Sequence, residues 1–413
     1  MKKLQIVILA SILLLVNTPI VSQPNKKEKP SWVKSVGIDN DQIKDASAGF
    51  QYLLFDAQDN ISTEEAFRHY AIKVLNSEGI QAMSEISAVY DPTYQNLTFH
   101  SLYLIREGKK IDKLDEAEIF VYQRETNMER SLYDGSETAV IHLSDVRSGD
   151  VIVYSYSVKG FNPINKGHFT NSYYTQLAIP INKIYVSLQS PRALYFKTYE
   201  KAEAPSVNRL NGLYKYELSS NGLDNLVFDN NVPSWYDPLK RISFSTYEKW
   251  SEVVDWSLPL YGIEEKNVPS IDLSEHESLE SEILALIRIV QDEIRYLGLE
   301  QGISAYLPNS PHDVFEQRYG DCKDKSLLLV GLLRKNGVEA FPVLVNTALR
   351  SELVHQIPGN AFDHCVVGYM YNGEMRFVDP TISSQGGDLE NLHFPDYQYG
   401  LIVKQGEINL TKL

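Results

Sequence analysis

The chain reads Tyr319-Gly320-Asp321-Cys322-Lys323-Asp324-Lys325-Ser326 and continues as Leu327-Leu328-Leu329-Val330-Gly331-Leu332-Leu333. A polar start followed by an apolar run predicts a helix that begins near Cys322, and Lys335-Asn336-Gly337 is typical of a helix end. One of only two cysteines therefore lies at a helix N-terminus, where the helix dipole stabilises an anion such as a thiolate. The alternative is a buried helical cysteine that packs as a small apolar side chain, but its polar neighbours favour the first interpretation.

A second pattern downstream predicts a β-hairpin around Asn372-Gly373. This dipeptide is a strong signal for a two-residue turn, and alternating apolar residues flank it on both sides. If it forms the turn, Tyr371 pairs with Glu374, and His364 and Asp379 become diagonal neighbours on one face of the hairpin. Their backbones are then ~7–8 Å apart, within reach of a carboxylate–imidazole hydrogen bond. A slip of one residue would place them on opposite faces, so this geometry depends on the turn.

Cys322, His364 and Asp379 together are the residue types that nucleophilic catalysis by a thiol requires. A thiol needs a base to become a thiolate, and the base needs an acceptor that orients it. Lys323 and Lys325 are expected to face solvent and to add positive charge. Taken singly, the histidine is an ordinary strand residue and the aspartate belongs to a turn that ends a strand. At compatible positions, the three predict a cysteine-nucleophile acyl-transfer site.

Three motifs surround these residues: Tyr319–Lys325, Asp363-His364 and Phe377-Val378-Asp379-Pro380-Thr381, preceded by Ile294–Leu299. Together they resemble the motifs of the bacterial transglutaminase-like superfamily, over roughly residues 246–400. The resemblance implies a papain-like core, in which the cysteine helix packs on an antiparallel sheet that carries histidine and aspartate. It also implies a role for each residue: Cys322 as nucleophile, His364 as general base and acid, and Asp379 as the orienting group.

The resemblance extends to three further features. The N–H of Cys322 would contribute to an oxyanion hole, with Tyr296 or Gln301 as candidates for the second donor. The region before the core is similar to a domain of unknown function that often precedes such cores, mainly at Gly149–Tyr154. Relatives often continue into a further β domain, so residues 401–413 are expected to be a C-terminal strand or the truncated start of that domain.

The N-terminus has the features of an export signal. Met1-Lys2-Lys3 is basic, Leu4–Val16 is almost wholly apolar, and Ile20-Val21-Ser22 offers a cleavage site. The apolar run is short for a membrane span, which needs about 20 residues, so a retained anchor is the less favoured alternative. Residues 1–22 are therefore predicted to be a signal peptide and residues 23–34 a flexible tail. The exported protein is expected in the periplasm or outside the cell, without stable membrane insertion.

Residues 35–240 are predicted to form a β-rich, sandwich-like domain, with one short helix near Ser62–Tyr70. Alternating runs recur there: Thr98–Ile105, Val151–Val158, Ile184–Leu188 and Leu213–Leu218. After a proline-bracketed connector near residue 240, helical periodicity begins, most clearly over His276–Leu297. Strands are expected at Ala340–Val345, His364–Tyr371 and Met375–Val378. The predicted fold class is thus α+β, with a β-sandwich-like domain followed by a transglutaminase-like core over residues 246–400.

Composition limits the function further. A net charge of −15 argues against a nucleic-acid partner, since the phosphate backbone needs a basic surface. Two cysteines cannot build a disulfide framework, and Cys365 should point away from Cys322 if His364 points toward it. Two free thiols, one of them inert, are therefore expected. No cofactor or metal site is predicted, because the remaining candidate ligands are isolated: His100, His312, His355 and His393.

The predicted function is cysteine-dependent acyl transfer on a peptide or protein amide, through a thioester intermediate. If water attacks the thioester the enzyme is a protease or amidase, and if a lysine attacks it is a transglutaminase. Hydrolysis is slightly favoured for an exported protein. The alternative is a non-catalytic envelope binding module, which would use the β-rich domain to hold protein or glycan and would not need a complete triad. The sequence does not predict the oligomeric state.

Overall fold

The computed structural model describes residues 24–38, 48–123, 132–133, 136–227, 231–299 and 305–413. The predicted signal peptide lies outside these residues and stays a prediction, and Gln301 also lies outside them. Within the described ranges, no helix is long and apolar enough to cross a membrane. The chain is a strand-rich mixture of sheets and helices.

The described residues before 246 form sixteen strands, one α-helix, α1 (Ser77–Met83), and a short 3₁₀-helix (Pro163–Asn165). The strands are β1 (Asn25–Lys26), β2 (Phe50–Asn60), β3 (Glu65–Val74), β4 (Glu85–Tyr90), β5 (Asn96–Arg106), β6 (Lys109–Asp112), β7 (Phe120–Tyr122), β8 (Leu132–Tyr133), β9 (Glu137–His142), β10 (Val151–Lys159), β11 (Thr170–Tyr174), β12 (Ile181–Ser190), β13 (Tyr195–Tyr199), β14 (Ser206–Leu210), β15 (Leu213–Leu223) and β16 (Arg241–Ser245). The four alternating runs predicted as strands all lie within this set, in β5, β10, β12 and β15.

A large sheet organises this half of the chain, in the strand order β1-β5-β10-β3-β2-β12-β15-β14, with β6 paired to β5. Two three-stranded sheets, β4-β9-β7 and β11-β16-β13, share buried cores with it. Phe99 of the large sheet packs in one core with Ile141, and Leu188 packs in the other with Phe244. Because successive side chains of a strand face opposite sides, each sheet can bury one apolar face against another sheet.

Two expectations for this half are wrong. Residues 65–74 form strand β3 rather than part of a helix, because they pair with β2 on one side and β10 on the other. This two-sided ladder outweighs the local helical preference. Residues 24–34 also do not behave as a free tail. Strand β1 runs parallel to β5, the indole N–H of Trp32 donates to Glu65 (2.8 Å), and Val33 is buried.

The described residues after 245 contain the remaining helices, α2 (Trp250–Ser257), α3 (Leu279–Arg288), α4 (Pro311–Gln317) and α5 (Cys322–Lys335). The strands here are β17 (Arg295–Tyr296), β18 (Gly298–Leu299), β19 (Tyr319–Gly320), β20 (Ala340–Val345), β21 (His364–Tyr371), β22 (Glu374–Val378), β23 (Tyr399–Ile402) and β24 (Thr411–Lys412). The predicted bounds of the cysteine helix and of β20 and β21 are confirmed.

The helix predicted over residues 276–297 is shorter in the structure. It begins at Leu279, because the Ser278 side chain accepts a hydrogen bond from the N–H of Ser281. After α3, one π-helical turn covers residues 289–293, and the chain is then extended. The extended residues pair with β19, immediately before the cysteine helix. This contact between distant segments is not encoded in helical periodicity.

Helix α5 is buried on almost every side. Leu328, Leu329 and Leu332 have no exposed area and pack with residues of α3 and of the sheet, such as Leu286 and Val367. The sheet has the antiparallel order β22-β21-β20-β23-β24. The near-continuous apolar run after Ser326 is therefore explained by a helix that is enclosed between layers.

The hairpin of β21 and β22 has the predicted register. Tyr371 pairs with Glu374, and the turn residues Asn372 and Gly373 have φ values of 52° and 81°. Both values are positive, as a tight hairpin turn of this kind requires. The turn thus fixes where His364 and Asp379 lie relative to each other.

Replacing Gly373 by alanine should lower the free energy of unfolding by about 1 kcal/mol, because a Cβ disfavours positive φ. An added Cβ would contact nothing within 4 Å at Gly373 or at Gly386, and Gly386 lacks the positive φ. Gly386→Ala is therefore the matched control, expected to be neutral or slightly stabilising. Urea unfolding measures both, and an equal effect of the two substitutions would contradict the role assigned to the turn.

Candidate active site

Cys322 is the first residue of α5, and Asp321 caps the helix. The Asp321 carboxylate accepts hydrogen bonds from the N–H groups of Lys323 (2.8 Å) and Asp324 (3.0 Å). The Asp324 carboxylate in turn accepts from the N–H of Asp321 (3.1 Å), which completes a capping box. No group among the described residues accepts a hydrogen bond from the N–H of Cys322 itself. This donor remains available at the positive end of the helix, beside the thiol.

The structure brings the three predicted residues together. His364 is the first residue of β21, and Asp379 directly follows β22, so the hairpin places them on one face as expected. The His364 Nε2 lies 2.9 Å from an Asp379 carboxylate oxygen. The ring also lies near the Cys322 side chain, which contributes to the raised pKa of His364, and both residues line the same cavity. The imidazole thus lies beside the thiol and is held by the carboxylate.

The charges of this triad support one another. Burial disfavours an imidazolium, but the hydrogen bonds with Asp379 and Cys322 outweigh it and raise the pKa of His364 to about 10. Burial also opposes a charged Asp379, yet the hydrogen bond and charge of His364 lower its pKa to about 2, with help from Thr381 and Tyr397. At neutral pH this geometry therefore favours an imidazolium held against a carboxylate.

Two residues that orient Asp379 were not predicted. Thr381 donates to one carboxylate oxygen from its N–H (2.8 Å) and its hydroxyl (2.7 Å). Tyr397 donates to the other oxygen from its phenol (2.7 Å). Thr381 could have been recognised, because an Asp side chain often accepts from the N–H two residues later. Tyr397 is separated by eighteen residues and gave no local signal.

The two lysines beside the cysteine are buried, so the expectation that they face solvent is wrong. The ammonium of Lys323 lies 2.7 Å from the Asp321 carboxylate. Lys325 donates to the carbonyl oxygens of Ile294 (2.5 Å) and Gln291 (3.4 Å). Burial lowers the pKa of Lys325 to about 8, although the negative charge of Asp379 acts in the opposite direction. Each buried ammonium is thus paired with oxygen atoms, which is the condition for burying such a group.

Cys365 is free, as expected, but the expectation that it points away from Cys322 is wrong. It packs in the same buried cluster as Cys322, on the side of β21 that α5 covers, and it lines the same cavity. His364 and Val366 project to the other face, so the predicted alternation along the strand holds. The side chains of His364 and Cys365 both approach Cys322, because the thiol lies at the end of the helix. Burial raises the pKa of Cys365 far above its ordinary value.

A cavity of about 260 Å³ opens beside the thiol. This space is here called the thiol cavity. Its lining combines polar groups near Cys322 with several aromatic rings. The rings are those of Trp256, Tyr261, Tyr306 and Phe362. Tyr296, a predicted oxyanion donor, packs against the cluster around Cys322 but does not belong to the described lining. Among the described residues, no group of His, Cys, Asp or Glu side chains could hold a metal ion.

Known proteins share parts of this architecture. Residues 62–224 match the family model of a domain of unknown function with solved structure (DUF3857). A "putative protease" from Parabacteroides distasonis has a TM-score of 0.68 at 14% identity, covering 88% of this chain and 72% of that chain. At this identity the likeness shows the fold alone. A "putative cysteine protease" from Cytophaga hutchinsonii has a TM-score of 0.23 at 13% identity, covering 52% of this chain and 75% of that chain. A TM-score this low supports no conclusion. Comparison with curated proteins gives no match.

Tyr397→Phe should lower the free energy of unfolding by about 1–2 kcal/mol at pH 7, because the Asp379 carboxylate loses a donor. The folded pKa of Asp379, about 2, lies below its unfolded value. The stabilisation is therefore present above about pH 4 and is lost as pH falls through about 2. Urea unfolding at several pH values should show the deficit shrinking across this window.

Tyr371→Phe is the matched control, since its hydroxyl donates at 3.4 Å to Glu280. A deficit of equal size in both variants, or one that does not change with pH, would show that Tyr397 acts only through packing.

Proposed function

We propose that this protein is a cysteine hydrolase of transglutaminase-like, papain-like architecture that cleaves a peptide or protein amide. The carrying observation is the placement of the His364 ring, whose Nε2 lies 2.9 Å from the Asp379 carboxylate and which lines one cavity together with Cys322. An assembled triad beside an open cavity favours catalysis over a purely binding role for the chain. The fold shared with a protein named as a protease agrees with this proposal.

The geometry supports the following chemistry. In the reactive form the proton lost by the Cys322 thiol is held on the His364 ring as an imidazolium, and the thiolate attacks the amide carbonyl carbon to form a tetrahedral intermediate. The N–H of Cys322 donates to the oxyanion. His364 then gives its proton to the departing amine, and a thioester remains. Water attacks the thioester with His364 as base, which releases the carboxylic acid and restores the thiol.

Water is the proposed acceptor because the described lining of the thiol cavity has no free carboxylate for a substrate ammonium. Asp363 is the acidic side chain in the described lining, and its two oxygens accept from the N–H and hydroxyl of Thr347 (2.8 Å each). Incubation with unfolded casein and a fluorescent primary amine should therefore yield new N-termini in clear excess over incorporated amine. Predominant incorporation would instead assign crosslinking. Cys322→Ala is the control for a contaminating protease.

The reactivity of the thiol is tested first by iodoacetamide labelling, followed by peptide mass spectrometry between pH 4 and 9. Cys322 should react at least tenfold faster than Cys365 at pH 6, because the adjacent His364, whose pKa is about 10, is an imidazolium there and its positive charge stabilises an anion. Burial and a raised pKa should keep Cys365 slow. His364→Ala should slow Cys322 at least tenfold.

The control for the histidine variant is His393→Ala, which alters an exposed histidine. Equal labelling of the two cysteines in the unaltered protein would contradict the enzyme proposal. A Cys322 rate that does not respond to His364→Ala would remove the histidine from the mechanism.

A further inference from the structure

The thiol cavity does not end at the core, because a second, smaller cavity continues it toward the β-rich half. This middle cavity, of about 90 Å³, shares Trp256, Tyr306 and Asn360 with the thiol cavity. Its opposite wall contains Asn165 and His168, which belong to the β-rich half. Residues of the two halves therefore line adjoining cavities.

A third space extends the cleft over the β-rich half itself. This polar cavity, of about 250 Å³, shares Asn165 and His168 with the middle cavity. Amide side chains recur in its lining, at Gln95, Asn162 and Asn171. Its charged groups are already matched, since Arg68 lies 2.5 Å from Asp59. Each of these amides already makes at least one hydrogen bond inside the protein, and an amide has two donor and two acceptor positions, so part of its capacity is left for a ligand. The polar cavity thus has amide groups in its lining and little net charge.

The contact between the halves is tightly fixed. Gly359 of the core has a φ of 150°, and a Cβ there would lie 2.6 Å from the Thr170 hydroxyl. The ring of His168, on the β-rich side, stacks with that of Tyr247 of the core, with centroids 4.1 Å apart and planes 3° apart. The His168 Nδ1 lies 3.2 Å from the hydroxyl of Thr246. The cleft wall is therefore held in a defined shape before any ligand binds.

We infer that the β-rich half is the substrate-selecting wall of the thiol site, and that the cleft binds an extended polypeptide. The aromatic thiol cavity would take a large apolar or aromatic side chain on the acyl side of the attacked amide. The amide groups of the polar cavity would bind the backbone of the preceding, uncharged residues. This inference rests on the proposed function and assigns a task to the domain of unknown function.

Peptide groups suit this cleft for two reasons. The paired Arg68 and Asp59 leave no charge to attract an anionic or cationic chain. Side-chain amides both donate to and accept from peptide groups, as in a strand ladder. The aromatic rings beside Cys322 supply buried apolar area, which drives binding of a matching side chain.

The test uses acetyl-peptidyl fluoromethyl ketones of one to four residues, which alkylate a catalytic thiol. Each rate constant at Cys322 is divided by that for iodoacetamide, which needs no extended cleft. The ratio should rise at least tenfold from one residue to four. Phenylalanine at one of the two positions nearest the ketone should exceed aspartate at least tenfold.

A matched pair of variants locates the effect. The Asn165 side chain lines both the middle and polar cavities, and Asn208 is exposed on β14. Asn165→Ala should lower the four-residue ratio about threefold to tenfold, as expected for one lost hydrogen bond. Asn208→Ala should leave it within twofold of the unaltered protein.

The outcomes separate this inference from the proposed function. If iodoacetamide labels Cys322 rapidly but probe length changes the ratio less than twofold, the cleft inference is overturned and the thiol site stands. A length effect without a preference for phenylalanine overturns the assignment of the aromatic cavity. An equal loss in both asparagine variants overturns the placement on the β-rich half. An unreactive Cys322 overturns the proposed function and this inference with it.

Discussion

The buried carboxylate of Asp379 is the constraint on which the candidate site depends. A carboxylate at this depth is costly unless each oxygen has partners. Its partners come from separate parts of the chain: His364 from β21, Thr381 from the turn after β22, and Tyr397 from the segment before β23. The side-chain N–H₂ of Gln291, in the π-helical turn after α3, also donates to the Asp379 carbonyl oxygen (2.9 Å). The hydrogen bonds that Asp379 requires therefore fix the positions of four segments around the thiol.

The opposite side of the site is fixed by the first turn of α5. This helix is enclosed, so even its charged residues must find partners inside the protein. Lys323 does so with Asp321, and Lys325 with carbonyl oxygens at the end of the α3 segment. These pairings hold the helix start, and with it Cys322, at a set depth beneath the cavity. The thiol and the histidine thus belong to two packed elements, and they meet where α5 and β21 begin.

The β-rich half contributes more than a separate fold, because its residues line the cleft that begins at the thiol. The close approach of Gly359 to Thr170 leaves no room for a side chain at the crossing point. A cleft between two sheets and a helical core can distinguish substrates by residues well away from the reacting atoms. Binding energy gathered there can orient the amide at Cys322.

Local patterns alone determined the parts of this protein that lie within a few residues of one another. The capped, apolar segment predicted α5, and the Asn372-Gly373 turn predicted the hairpin register that joins His364 to Asp379. These features follow from capping, turn geometry and side-chain alternation, which are written in neighbouring residues.

Tertiary structure decided what depends on distant segments. Residues 65–74 became a strand because β2 and β10 pair on both sides, against a local helical preference. The orienting phenol of Tyr397, the burial of Lys325 and the approach of Cys365 to the thiol depend on packing between elements that sequence spacing does not relate. The cleft between the halves has the same origin, since it exists only where surfaces from distant parts of the chain meet.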